Sequence, residues 1–280
     1  MKLVVCSRKD TASMNILDAL LSMEDAERRS AGEFEIYEAE DLLIAVVEER
    51  LIYADYIDER LSKFVEFDEI LFASRHSSKD RRKMFSVHVS GNVATAEYGG
   101  RPFSLAKPSP ITMKNYFLHL AERLERKPEF SLTLEVTHHG PSEIRKPSAF
   151  YEIGSDEEAW RDREAAEIVA EAMLEAVRDE RSDWTVAVGV GGTHYAPRQT
   201  EIELQTTIAF AHNFAKYTFD QLTPEFLKKA IEISEARLLV YDEKSVVSKV
   251  KNMLREVADE CGVELLKTKE AKRKFERKSY

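Results

Sequence analysis

Cysteine, glycine and proline are scarce: two, ten and eight among 280 residues. Cys6 and Cys261 cannot build a disulfide framework, and neither has the C-x-x-C spacing of a thiolate metal site, so any metal must be held by histidines and carboxylates. So little glycine and proline excludes collagen-like and low-complexity chains. Long apolar runs are missing as well. LLIAVV at 42–47 and WTVAVGV at 184–190 fall far short of the ~20 residues needed to cross a bilayer. The opening MKLVVCSRKD has a brief apolar stretch that ends in charges, with no small-residue cleavage site. It does not read as a signal peptide, and a cytoplasmic location is expected. Positive charge is in deficit, 41 basic against 51 acidic residues for a net −10, which argues against a protein that simply coats nucleic acid.

What is present suits a soluble globular protein: 43% hydrophobic and 33% charged residues in a chain long enough to bury a substantial core. The heavy use of Glu, Lys and Arg also fits a protein working at high temperature. Basic residues are unevenly spread. Lys267, Lys269, Lys272, Arg273, Lys274, Arg277 and Lys278 face only Glu270 and Glu276, leaving +5 in that segment and −15 elsewhere. A second cluster, RHSSKDRRK at 75–83, includes Arg75, Arg81 and Arg82. As solvated surface these are a frayed helical tail and a polar loop; as an RNA contact they would meet backbone phosphates.

Short apolar runs of β type alternate with amphipathic helical stretches. Strands are expected at 2–7, 34–39, 42–47, 69–74, 84–91, 131–139, 184–190, 200–212, 238–241 and 263–267. Helices are expected on the Ile16, Leu17, Leu20, Leu21 stripe, after Ser109-Pro110, after a Ser155-x-x-Glu158 capping box, after Thr223-Pro224, and through Val246–Val257 to Gly262. This alternation predicts a three-layer α/β/α sandwich around a mostly parallel mixed sheet, residues 1–266 forming one domain and 267–280 a basic tail. In such folds, ligands bind where loops leave the carboxyl ends of the strands.

Three of those loops carry histidine: SRHSS with His76, HHGP with His138 and His139, and GGTHYAPR with His194. If their strands run parallel, the side chains converge on one crevice. The strand period places Glu135, Thr137 and His139 on one face. Glu135 and His139 could then ligate zinc together with His76 or His194, or the carboxylate could fix the imidazole tautomer. Gly191 and Gly192 offer either oxyanion-binding amides or a tight turn needing positive φ. Arg198 suits a phosphate or carboxylate. His119 reads as structural, whereas His88 and His212 are ambiguous. No G-x-S-x-G elbow or P-loop is present, which leaves activated water as the economical nucleophile.

Six ordered segments, DTASMNI (10–16), SRHSS (74–78), VHVSGN (87–92), LEVTHHGP (134–141), EIGSDEEAW (152–160) and GVGGTHYAPR (189–198), resemble the D-aminoacyl-tRNA deacylase family of archaea and plants over nearly the whole chain. The resemblance implies hydrolysis of the ester joining a D-amino acid to tRNA, a translation quality-control activity. It also implies zinc dependence and a fold similar to peptidyl-tRNA hydrolase and nucleoside phosphorylases. On the matched motifs, His138, His139, His194, Gly191 and Gly192 become catalytic candidates, and His76, His139, His194 and Glu135 metal candidates. Arg75, Tyr195 and Arg198 become contacts to aminoacylated tRNA; separately, the basic segments carrying Arg81, Arg82, Lys272 and Arg273 are expected to meet its acceptor-stem phosphates, and the protein is expected to be a monomer. Two alternatives carry different signatures: a zinc amidohydrolase or phosphorylase-like enzyme for small molecules would be indifferent to salt, and a non-catalytic tRNA-binding protein would show no turnover.

Overall fold

The computed structural model describes residues 1–277 of the chain, so Lys278 of the basic segment lies outside the described residues. In chain order it forms β1 (Lys2–Ser7), α1 (Thr11–Met23), β2 (Glu27–Ala31), β3 (Phe34–Glu38), β4 (Leu42–Val47), α2 (Ile57–Leu61), β5 (Glu69–Arg75) and β6 (Met84–His88). Next come β7 (Gly91–Asn92), β8 (Ser104–Leu105), α3 (Pro110–Arg123), β9 (Ser131–Leu134), β10 (Ser148–Gly154), α4 (Glu157–Trp160) and α5 (Arg163–Arg178). The last third holds β11 (Thr185–Val190), α6 (Pro197–Gln205), β12 (Ile208–Phe214), α7 (Pro224–Ser234), β13 (Leu238–Tyr241), α8 (Ser248–Cys261), β14 (Glu264–Lys267) and α9 (Thr268–Lys274).

Mixed α/β architecture is what results, with a large, mostly parallel mixed sheet ordered β2-β3-β4-β1-β5-β10-β6-β9. The expected single sheet is divided: β12-β11-β13-β14 form a second, wholly parallel sheet. Strand alternation shows how this smaller sheet is covered. Val186, Val188, Val190, Leu239 and Tyr241 share an apolar cluster with Phe226 and Leu227 of α7 and Leu254 and Val257 of α8. Ala187, Leu238, Val240 and Leu266 point the other way, into the cluster that includes Ile202 of α6 and Ala271 of α9. The sheet therefore sits between two helical layers.

In the large sheet the two faces are used differently. Tyr151 of β10 meets Tyr116 of α3 edge-on at 4.6 Å, and Arg75 of β5 lies over Trp160 of α4 at 4.7 Å. Ile153 is paired with Arg75 and Glu152 with Ser74, so Glu152 and His76 point to the opposite face, away from those helices. Phe150 pairs with His88 across the antiparallel β10–β6 ladder, which puts His88 on that same face.

Several local expectations are corrected. SAFYEIG, unassigned above, is the central strand β10, with all seven residues buried. The 155–158 capping box gives way to two caps: Asp156 accepts from Glu158 and Ala159 to start α4, and Asp162 accepts from Ala165 to start α5. The strand expected at 200–212 is a helix followed by a strand. Pro197 occupies the first turn of α6, where its missing N–H costs nothing, and extended pairing begins only at Ile208. Residues 267–277, the described part of the basic segment, are no frayed tail. They complete β14 and fold α9, burying Thr268 and Ala271, while Phe275 and Arg277 pair their backbones with Thr207 and Gln205.

Lys114 of α3 ties these layers together. Its wholly buried ammonium donates to the carbonyls of Glu203 and Thr206 (3.0 Å to the latter) at the end of α6, where helical carbonyls lack internal partners. Burial draws its pKa down to about 8. Lys114→Met strands both carbonyls and is expected to lower stability by about 2 kcal/mol, read by denaturant unfolding.

Candidate active site

Chain 135–139 leaves β9 and spans the gap between the sheets. The amides of Glu135, Val136 and Thr137 donate in turn to Val87 of β6, to His194 of the loop after β11 and to Asn213 of β12. Three different carbonyl partners end the regular ladder at Leu134, so the strand expected over 131–139 stops there. His139 then adopts φ 45°, which breaks the alternation that would have placed it beside Glu135. His138 is the residue that approaches Glu135, its Nε2 lying 3.7 Å from Oε2.

The condition that all three histidine-bearing strands run parallel fails. β9 is parallel to β6, β6 is antiparallel to β10, and β10 is parallel to β5, so β9 opposes β5. β11 belongs to the other sheet altogether. The histidines meet nonetheless, because the irregular 135–139 segment and the 191–195 loop both cover the bare face of the large sheet.

Five imidazoles and two carboxylates occupy this crevice. Ring centroids are 4.2 Å apart for His88 and His138, 4.4 Å for His138 and His139, 4.8 Å for His88 and His139, and 4.7 Å for His138 and His194. Glu135, fully buried, sits among them with His194 Nε2 at 2.7 Å and His76 Nδ1 at 3.0 Å. Glu152 lies 3.5 Å from His76 Nδ1 and 3.6 Å from His88 Nε2. Possible ligand atoms within 4.8 Å of one another define three groups: His88, His138 and His139; Glu135, His138 and His194; His76, Glu135 and Glu152. The set named from sequence, His76, His139, His194 and Glu135, is not among them. His139 faces His88, on the far side of His138 from Glu135.

Electrostatics divide the histidines into two kinds. Burial opposes charge on His76, but contacts with Glu135 and Glu152 outweigh it and push its pKa up to about 11. Burial likewise disfavours the charged His88, whose net shift is upward through Glu152. For His138 and His139, burial and the positive field of neighbouring imidazoles act together, holding the first well below the usual range and the second down to about 4. Glu135 and Glu152 resist the upward pull of burial because imidazoles surround them; Glu152 is drawn down to about 2.

Tautomers follow from backbone contacts. Nδ1–H donates to Val136 O at 2.8 Å in His138, to Gly140 O at 2.7 Å in His139 and to Val89 O at 3.3 Å in His88. In the neutral His138 and His139, Nε2 thus presents a lone pair, while the Nε2 of His88, 3.6 Å from Glu152, is buried without a hydrogen-bond partner among the described residues.

His88 was ambiguous in the sequence, and Glu152 was missed, although a lone carboxylate inside an otherwise apolar strand is costly unless it is partnered. His119 pairs with Asp179 and Glu175, consistent with a structural role, and His212 bridges Thr137 and Ala106.

The glycine turn does not provide an oxyanion hole. Gly191 N–H already donates to Phe214 O at 2.7 Å and Gly192 N–H to Ser245 Oγ at 2.7 Å, while φ values of 106° and 84° account for glycine at both positions. Tyr195 does reach the site, its hydroxyl 3.2 Å from His76 Nε2 and its ring under Arg82 at 4.5 Å. Arg81 pairs with Asp156 and Arg82 with Asp80, both at the exposed rim. Arg198 and Lys272 share Glu201 instead, lining a separate 340 Å³ cavity at the ends of β13 and β14, and Arg273 is exposed on α9.

A family model described as D-aminoacyl-tRNA deacylase matches residues 63–266. A protein of that name from Archaeoglobus fulgidus is 66% identical, the alignment covering 98% of this chain and 99% of the relative. Another of that name from Pyrococcus furiosus is 36% identical over 95% of this chain and the whole of the relative. A crystal structure described as a conserved protein of unknown function superposes with a TM-score of 0.98 at 66% identity, covering 99% of both chains. The segments carrying the clustered histidines and glutamates fall within the matched span, and the chain belongs to the D-aminoacyl-tRNA deacylase family.

Proposed function

We propose that the protein hydrolyses the ester between a D-amino acid and the terminal ribose of tRNA, releasing both, at the crevice where His76, His138 and His194 surround Glu135 and His88 and His139 adjoin His138. The observation that carries this reading is the division of the cluster into neutral imidazoles with free Nε2 atoms and a carboxylate-bound pair at the mouth, in a chain of this family.

Zinc fits the residues present. His88, His138 and His139 group three possible ligand nitrogens with their Nδ1 atoms on carbonyls, the arrangement in which imidazoles bind metal, and the Nε2 of His88, once deprotonated, would gain in the ion the partner it lacks. Zinc bound there supplies Lewis acidity, which brings the pKa of water from ~16 toward ~7. His76, held charged between two carboxylates, is a poor ligand and a better source of positive charge.

The chain's own groups divide the remaining work. Glu135 accepts from His194 Nε2–H and so leaves His194 Nδ1 basic; that nitrogen takes the proton from the attacking water and returns it to the departing ribose oxygen. Tyr195 replaces the glycine amides as oxyanion partner. With His76 Nε2–H donating to its oxygen, the phenolic O–H is free to donate to the tetrahedral intermediate. Arg81 and Arg82 at the rim would meet the acceptor-stem phosphates, whereas Arg75, over Trp160 on the opposite face of the sheet, does not reach the crevice.

Incubation with D- and L-tyrosyl-tRNA, following ester loss, tests the reading. Turnover of the D ester with little of the L ester is expected; binding without turnover would leave only an RNA-binding protein. Affinity for tRNA should fall as salt rises, and Arg81→Gln and Arg82→Gln should each flatten the log–log salt slope by about 1.

A further inference from the structure

Tyr217 is 58% exposed although it follows the buried strand β12, and its hydroxyl reaches into the crevice to His194 Nδ1 at 3.2 Å. Two backbone bonds hold it there: Gly191 N–H to Phe214 O at 2.7 Å and Lys216 N–H to Gly192 O at 3.1 Å. The glycine turn thus serves as a bracket for the 214–217 turn, and the bracket leaves a flat aromatic face at the mouth. Lys216, exposed, stands beside it.

We propose that the ring of Tyr217 is the platform on which the 3′-terminal base of the tRNA stacks while its ribose ester faces the Glu135–His194 pair. The inference rests on the tRNA reading above and names the part of the substrate that this surface holds. An ester carried on a ribose has its base only a few bonds from the reacting oxygen, so presenting the ester to His194 brings the base to whatever ring adjoins that histidine. Tyr217 adjoins it through its hydroxyl. An exposed ring next to a cation is the combination that binds an unpaired nucleotide, the ring taking the base and the ammonium the phosphate. Stacking needs no recognition of the amino acid, so this contact anchors D and L esters alike and leaves stereochemical choice to the interior of the crevice.

The test uses deacylated tRNA, intact or lacking its terminal nucleotide, and measures both dissociation constants by filter binding. The unsubstituted protein is expected to bind intact tRNA about tenfold more tightly. Tyr217→Phe keeps the ring, loses only the bond to His194 and should retain that preference. Tyr217→Ala should abolish it without lowering the affinity for trimmed tRNA. Equal binding of the two tRNAs by the unsubstituted protein overturns the inference. So does an alanine variant that keeps the preference, or a phenylalanine variant that loses it to the same extent. Hydrolysis of D-tyrosyl-tRNA by the unsubstituted protein is scored separately: turnover with no nucleotide preference removes the stacking and spares the deacylase reading, whereas absence of turnover removes both.

Discussion

Glu135→Gln is expected to reduce D-aminoacyl-tRNA hydrolysis by roughly 10²–10⁴-fold in kcat, with little change in KM for tRNA. The amide is nearly the same size, so the fully buried site remains filled, but the charge that orients three imidazoles is gone. His194 Nε2 at 2.7 Å would face an amide able to donate as well as accept, and the tautomer with a basic Nδ1 would no longer be enforced. His76 would keep only Glu152 of its two carboxylates, and its pKa should drop from about 11 toward the ordinary histidine range, visible by NMR titration of the ring protons. An unchanged kcat would remove Glu135 from the mechanism.

The same pair of carboxylates sets a pH window for the metal-free protein. The folded pKa of His76 is raised above its usual 6.5, so its contribution to stability is complete below pH 6.5 and is lost as pH climbs toward 11. Glu152, drawn down to about 2 from 4.5, contributes fully above pH 4.5 and loses its effect as pH falls through 2. Between roughly pH 4.5 and 6.5 both contributions are intact.

His139→Ala is the second substitution with a large expected effect. It removes one of the three possible ligand atoms of His88, His138 and His139, which lie within 4.8 Å of one another. Zinc affinity should fall by at least 10–100-fold, the loss seen even when a residue that merely orients a ligand is removed. Activity should fall with zinc occupancy, measured as metal content after dialysis against a weak chelator. His76→Ala is the control that separates the two kinds of histidine: it should lower kcat through Tyr195 and Glu135 while zinc content stays near that of the unsubstituted protein. If zinc is lost from His76→Ala and retained by His139→Ala, the assignment of ligands is inverted.

Local signals in the chain were informative wherever an element depends on its own residues. The helix from Pro110 and the one ending at Gly262 form where their end residues place them, because a first-turn proline and a left-handed glycine act on their own backbone. Motif content likewise sufficed to single out His76, Glu135, His138, His139 and His194, and those side chains do lie in one crevice. Which of them touch was not legible. Strand periodicity joined Glu135 to His139, but a left-handed turn at His139 substituted His138 as its neighbour. Glu152 and His88 came into view only through the ladder that sets β10 between β5 and β6, pairings across roughly sixty to eighty residues that no local pattern encodes. The glycines were read correctly as a turn and incorrectly as free amides, since their partners, Phe214 and Ser245, are remote in sequence.

Composition, caps and motifs are written residue by residue, and so the sequence alone determined that the chain is an α/β protein and singled out the histidines and the carboxylate Glu135 of its candidate site. Distances, tautomers and charge states depend on which carbonyl or carboxylate stands opposite each imidazole. Long-range packing of two sheets decided that, and it alone separated a charged His76 from the neutral His138 and His139.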